Sequence, residues 1–102
     1  MIDREWITSI RVERRNCGRA RALTFFVEPP EKEEKVSSYK NMVDTAEALY
    51  RGAMGDDGRM LRDVDVMAWS DSKRRIYIPH QYRVTAYFVR KEDIYEEVDS
   101  EE

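Results

Sequence analysis

The sequence predicts an α+β fold of two similar strand-turn-strand-helix (ββα) halves packed about a pseudo-twofold axis on one shared core. Three observations carry this. Arg21–Ser38 (RALTFFVEPPEKEEKVSS) can be laid without a gap on Arg83–Ser100 (RVTAYFVRKEDIYEEVDS), and six of the eighteen positions match. The identities are Arg21 with Arg83, Phe26 with Phe88, Val27 with Val89, Glu34 with Glu96, Val36 with Val98 and Ser38 with Ser100. In each half, runs that alternate with period two precede a stretch with helical spacing, although any two amphipathic ββα stretches share that pattern. Finally, 102 residues suffice for one modest core and not for two, so the halves must share it. The expectation is a single domain over 1–102, with a first half over about 1–54 and a second over about 55–102.

In the first half, Trp6, Thr8, Ile10 and Val12 alternate with Ile7, Ser9, Arg11 and Glu13, a half-buried strand with Ile10 and Val12 inward. Arg15–Arg19 is a turn, because Asn16 and Gly18 tolerate positive φ. Ala20–Glu28 returns as a strand with Leu23, Phe25 and Val27 on one face and Ala22, Thr24 and Phe26 on the other. Both faces are apolar, which predicts a central strand covered on each side. Pro29 and Pro30 end it. Glu31–Lys35 is a charged approach to a helix capped by Ser37 or Ser38. That helix carries Tyr39, Met42, Val43, Ala46, Leu49, Tyr50 and Ala53 at three and four spacing, and Gly52, Gly55 and Gly58 break it.

The second half repeats the order. Val64, Val66 and Ala68 alternate with Asp63, Asp65 and Met67 in a strand ending near Trp69. Ser70–Lys73 is a turn, Arg74–Ile78 returns, and Pro79-His80 interrupts. Tyr82–Arg90 is the counterpart of the second strand. Lys91–Val98, with Ile94, Tyr95 and Val98 on one face, forms a short last helix.

Composition narrows the function classes. Charged residues make up 38% and apolar residues 41%, the mark of a soluble, charge-rich chain. No apolar run approaches the roughly 20 residues that cross a bilayer. The N-terminal MIDREWITS lacks the basic-then-apolar pattern of a signal peptide, so an intracellular location and no membrane partner are expected. Cys17 is the only cysteine, which fits a reducing compartment. With His80 the only histidine, no structural metal site and no cofactor are expected. Abundant Arg and Glu with few amides (Asn16, Asn41, Gln81) match a thermophile's protein. The net charge of -3 is unevenly spread: five arginines and one glutamate lie between Arg11 and Arg21, and seven carboxylates with no base follow from Glu92 onward.

No residue set identifies a reaction, so the chain is not read as an enzyme. Cys17 lies between Arg15 and Arg19 and would be activated if exposed, but nothing in the spacing supplies a base. Asp63 with Asp65, or Asp56 with Asp57, could share a cation; a solvated strand face and a polar turn account for them more simply. Two binding readings remain. The preferred one is a non-enzymatic module that holds an extended peptide or protein segment in a groove between the halves, lined by Phe25, Val27, Trp69, Tyr77, Tyr87 and Val89. The alternative is a nucleic-acid binder using Arg11, Arg14, Arg15, Arg19 and Arg21 on the first hairpin. Pseudo-symmetric strand edges allow a monomer or a homodimer.

In size, arginine- and glutamate-rich sequence, lack of a signal or anchor, and lack of any enzyme motif, the chain resembles small uncharacterised proteins of filamentous viruses infecting hyperthermophilic archaea (the Acidianus filamentous virus type). The resemblance implies the cytoplasm of the infected host cell, a host or virus protein as partner, and no inherited catalytic residues.

Overall fold

The computed structural model describes residues 2–28, 39–69 and 81–93. The elements are β1 (Ile7–Arg15), β2 (Ala20–Val27), α1 (Tyr39–Met54), β3 (Arg59–Trp69) and β4 (Gln81–Arg90). Single 3-10 turns at Arg4–Trp6 and Asn16–Gly18 lead into β1 and join β1 to β2. The four strands form one antiparallel sheet in the order β1-β2-β4-β3. The fold is α+β: a four-stranded antiparallel sheet with one main helix laid across one face. Residues 91–93 are helical, where the last helix is expected. The expected strand Arg74–Ile78, the Ser37 or Ser38 cap, Tyr77 and the rest of the last helix lie outside the described residues.

Strand β2 is central, as its two apolar faces require. Its odd-numbered residues Leu23, Phe25 and Val27 are fully buried with Val84, Ala86 and Phe88 of β4 and Met42, Ala46 and Tyr50 of α1. Each such side chain contributes about 1.5–3 kcal/mol by leaving water. Tyr50 stacks on Phe88, ring centroids 3.8 Å apart and planes 9° from parallel. Ile2 joins this core, and its amide donates to the Thr45 hydroxyl at 2.9 Å.

Two bulges change what each edge strand presents. The register between β1 and β2 shifts between Thr8 and Arg11, where Ser9 takes φ 55°. One extra residue reverses the alternation, so Ile7 joins Ile10 and Val12 on the helix side instead of opposing them. In β3 the shift falls between Leu61 and Asp63. The strand therefore starts at Arg59, earlier than its alternation suggests, and Leu61 shares the helix side with Val64 and Val66.

Pairing register also decides what the internal sequence match means. Leu23 sits opposite Ala86 and Phe25 opposite Val84, so odd positions of β2 share a face with even positions of β4. The ungapped match shifts residues by an even number. It thereby equates Phe25, under the helix, with Tyr87 on the far face. A twofold axis between antiparallel neighbours keeps every side chain on its own face, so that match does not superimpose equivalent sheet positions.

Candidate functional site

The face of the sheet away from α1 can be read row by row from the pairing. Arg15, Ala20, Val89 and Met60 form one row; Glu13, Ala22, Tyr87 and Asp63 the next. Arg11, Thr24, Thr85 and Asp65 follow, then Thr8, Phe26, Arg83 and Met67. Along β2 this face carries the small side chains Ala20, Ala22 and Thr24 at successive alternate positions. The result is a strip of small, buried side chains, 2%, 1% and 7% exposed, between the longer side chains of β1 and Tyr87 of β4.

At the turn end of this strip is a concavity of about 400 Å³ lined by Asn16, Cys17, Arg19, Ala20, Val89 and Asp93. The first four belong to the first half of the chain and the last two to the second. Local sequence builds its rim. Asn16, Cys17 and Gly18 take φ of 51°, 55° and 88°, and the Arg19 amide closes the turn on the Asn16 carbonyl at 3.1 Å. Three successive left-handed residues turn the chain sharply, with glycine where φ is most positive. Cys17 is exposed there.

A polar latch on the helix side holds this turn. Arg59 is 5% exposed and donates to the Arg19 carbonyl at 2.7 Å and the Gly18 carbonyl at 3.3 Å. Arg21 donates to the same Gly18 carbonyl at 3.0 Å and to Ala20 at 3.3 Å. Asp57 connects the latch to the helix: it accepts a short hydrogen bond from the Tyr50 hydroxyl, a second from the Arg59 amide at 3.1 Å, and lies 3.4 Å from the Arg51 guanidinium. Arg51 also donates to the Arg59 carbonyl. Burial, reinforced by the bond to the Asp57 carboxylate, pushes the Tyr50 hydroxyl up to about 12. Burial alone would raise the Asp57 carboxyl, but the Tyr50 and backbone hydrogen bonds, with Arg51 alongside, hold it below its ordinary value. These polar groups serve the structure, holding the Gly18 and Arg19 carbonyls at the base of the turn that rims the concavity.

The six predicted groove residues do not line one cleft. Phe25 and Val27 are fully buried beneath α1. Tyr87 and Val89 face the other way, and Val89 lines the concavity. Trp69 pairs with Gln81 at the end of β3, and Tyr77 lies outside the described residues. The correction has one cause: odd positions on β2 and odd positions on β4 occupy opposite faces. The hairpin arginines are divided as well. Arg11 and Arg15 bracket Glu13 on the far face at 2.8 and 3.3 Å, Arg14 and Arg21 oppose each other on the helix side, and Arg19 stands at the concavity.

Asn16, Ala20, Ala22 and Asp93 are not among the site residues that the sequence singles out. The usable signal was the run of small residues Ala20, Ala22 and Thr24 at period two. Among the described residues no three His, Cys, Asp or Glu side chains cluster as metal ligands, and no helix is long and apolar enough to cross a membrane. Comparison with protein-family models, with curated proteins and with solved structures returns no match.

Proposed function

We propose that the protein is a non-enzymatic interaction module that binds an extended peptide or protein segment along the seam between its two ββα halves, on the face away from α1. The observation that supports this reading is the concavity to which both halves contribute, Asn16, Cys17, Arg19 and Ala20 from one and Val89 and Asp93 from the other. The concavity opens at the turn end of the seam, so a peptide would enter there, beside the buried strip of Ala20, Ala22 and Thr24. Tyr87 supplies an amphipathic anchor beside it. The Arg19 guanidinium and Asp93 carboxylate at the end of the strip give the groove a direction. In the finer form of the reading, a pseudo-twofold between β2 and β4 relates the halves through an odd rather than an even shift. The resemblance to filamentous-virus proteins makes the partner a host or virus protein met in the cytoplasm of an infected cell.

Selection from a random peptide library, followed by titration against Tyr87→Ala and Asp93→Lys, tests the placement. Both variants should weaken binding at least tenfold while keeping the native circular dichroism, and wild-type binding should persist at high salt. Undiminished affinity in both would refute the site. The nucleic-acid reading predicts instead a steep salt dependence and loss of binding on neutralising Arg14, Arg15 and Arg19. The division of the arginines between two faces, and the pairing of Arg11 and Arg15 with Glu13, weigh against it.

A further inference from the structure

Among the described residues the sheet ends in two edge strands, β1 and β3, and they differ in what they can pair with. On β1 the far-face sequence is Arg11, Glu13, Arg15; the two arginines are exposed, and Glu13 is half-buried and holds both of them. Offset by two residues, this basic-acidic-basic order sets arginine against glutamate when the strand meets its own copy in reverse. On β3 the corresponding face carries Asp63 and Asp65, both exposed. Antiparallel self-pairing over that part of β3 sets carboxylate against carboxylate, which repels.

We infer that the protein forms a homodimer through antiparallel pairing of β1 with β1 of a second copy, with Val12 on the dyad. In that register Arg11 of each copy faces Glu13 of the other, so two reciprocal ion pairs form on the far face. Val12 meets Val12 and Ile10 meets the aliphatic stem of Arg14 on the helix side. Both apolar residues are only partly buried in one copy, and a furrow beside Ile10 is lined also by Arg4, Ala48, Leu49, Gly52 and Ala53. The two neighbouring registers are disfavoured. Centring on Glu13 opposes glutamate to glutamate and arginine to arginine; centring on Arg14 keeps two Glu13–Arg15 pairs but opposes Arg14 to Arg14 on the helix side. The Ser9 bulge lies next to Arg11, so the regular pairing is confined to Arg11, Val12 and Glu13, and the charge pairs set its register. The contact is isologous and closes at two copies, giving an eight-stranded sheet with the acidic β3 edges outermost.

Sedimentation equilibrium over a range of concentrations tests this. The wild type should sediment at twice the chain's 12.2 kDa. Glu13→Arg should sediment as one chain with unchanged circular dichroism, and the exchange Arg11→Glu with Glu13→Arg should restore the doubled mass. If Glu13→Arg loses its fold, Arg11→Glu carries the same test. A wild type of single mass at every concentration would overturn the inference. So would a dimer that survives Glu13→Arg, or an exchange variant that stays single.

Discussion

The two faces of the sheet are built from the same strands and do different work. Beneath α1, Leu23 and Phe25 of β2 and Val84, Ala86 and Phe88 of β4 are fully buried. On the far face the same strands carry Ala22, Thr24 and Phe26 against Arg83, Thr85 and Tyr87, a mixture of small, polar and aromatic side chains. One face is apolar and packs under the helix; the other mixes small, polar and aromatic side chains and is the face on which we propose binding. The difference teaches that adjacency along a strand says little about shared function: Phe25 and Phe26 are neighbours in the chain and lie on opposite sides of the molecule.

The contrast can be broken most severely at Phe25. Phe25→Ala should cost about 3–5 kcal/mol, read as a lowered midpoint in denaturant, because it removes a fully buried ring and leaves a cavity. Far-face substitutions should not approach that value.

The latch comes next. Asp57→Asn should cost about 1–3 kcal/mol by weakening the bonds to Tyr50, Arg51 and Arg59. The pH dependence has a definite sign at both ends. Because the folded state lowers the Asp57 value, its contribution is complete above the ordinary carboxylate range and disappears as pH falls through the lowered value. The folded state raises Tyr50, so its contribution is complete below pH 10 and disappears as pH climbs to about 12. Asp57→Asn should flatten the acid limb of a plot of stability against pH; an unchanged acid limb would remove Asp57 from the latch.

The smallest effect on stability, and the most informative, belongs to Tyr87. Tyr87→Ala should change folding free energy by about 1 kcal/mol while removing most of the affinity for a peptide ligand. That separation of stability from binding is what distinguishes the far face from the core.

Much of the architecture was legible from sequence for local reasons. The three and four spacing from Tyr39 to Ala53 predicts α1, which runs Tyr39–Met54. Apolar residues on both faces of Ala20–Val27 predict the central position of β2. The facing of the candidate site was not legible, because it depends on a nonlocal quantity, the register of β2 against β4. Whether Tyr87 shares a face with Phe25 depends on that register's parity, which no periodicity within either strand encodes. The bulges at Ser9 and between Leu61 and Asp63 reverse alternation in the same hidden way. The latch was out of reach for a related reason: Arg59 is buried against the Gly18 and Arg19 carbonyls, some forty residues away in the chain.

The most direct test of the central claim is amide chemical-shift mapping of the isotope-labelled protein titrated with a selected peptide. Binding in the seam should shift Cys17, Ala20, Ala22, Tyr87, Val89 and Asp93 in one saturable process and leave α1 nearly unmoved. Shifts concentrated on α1 or along the outer edge of β3, with the seam unchanged, would contradict the account.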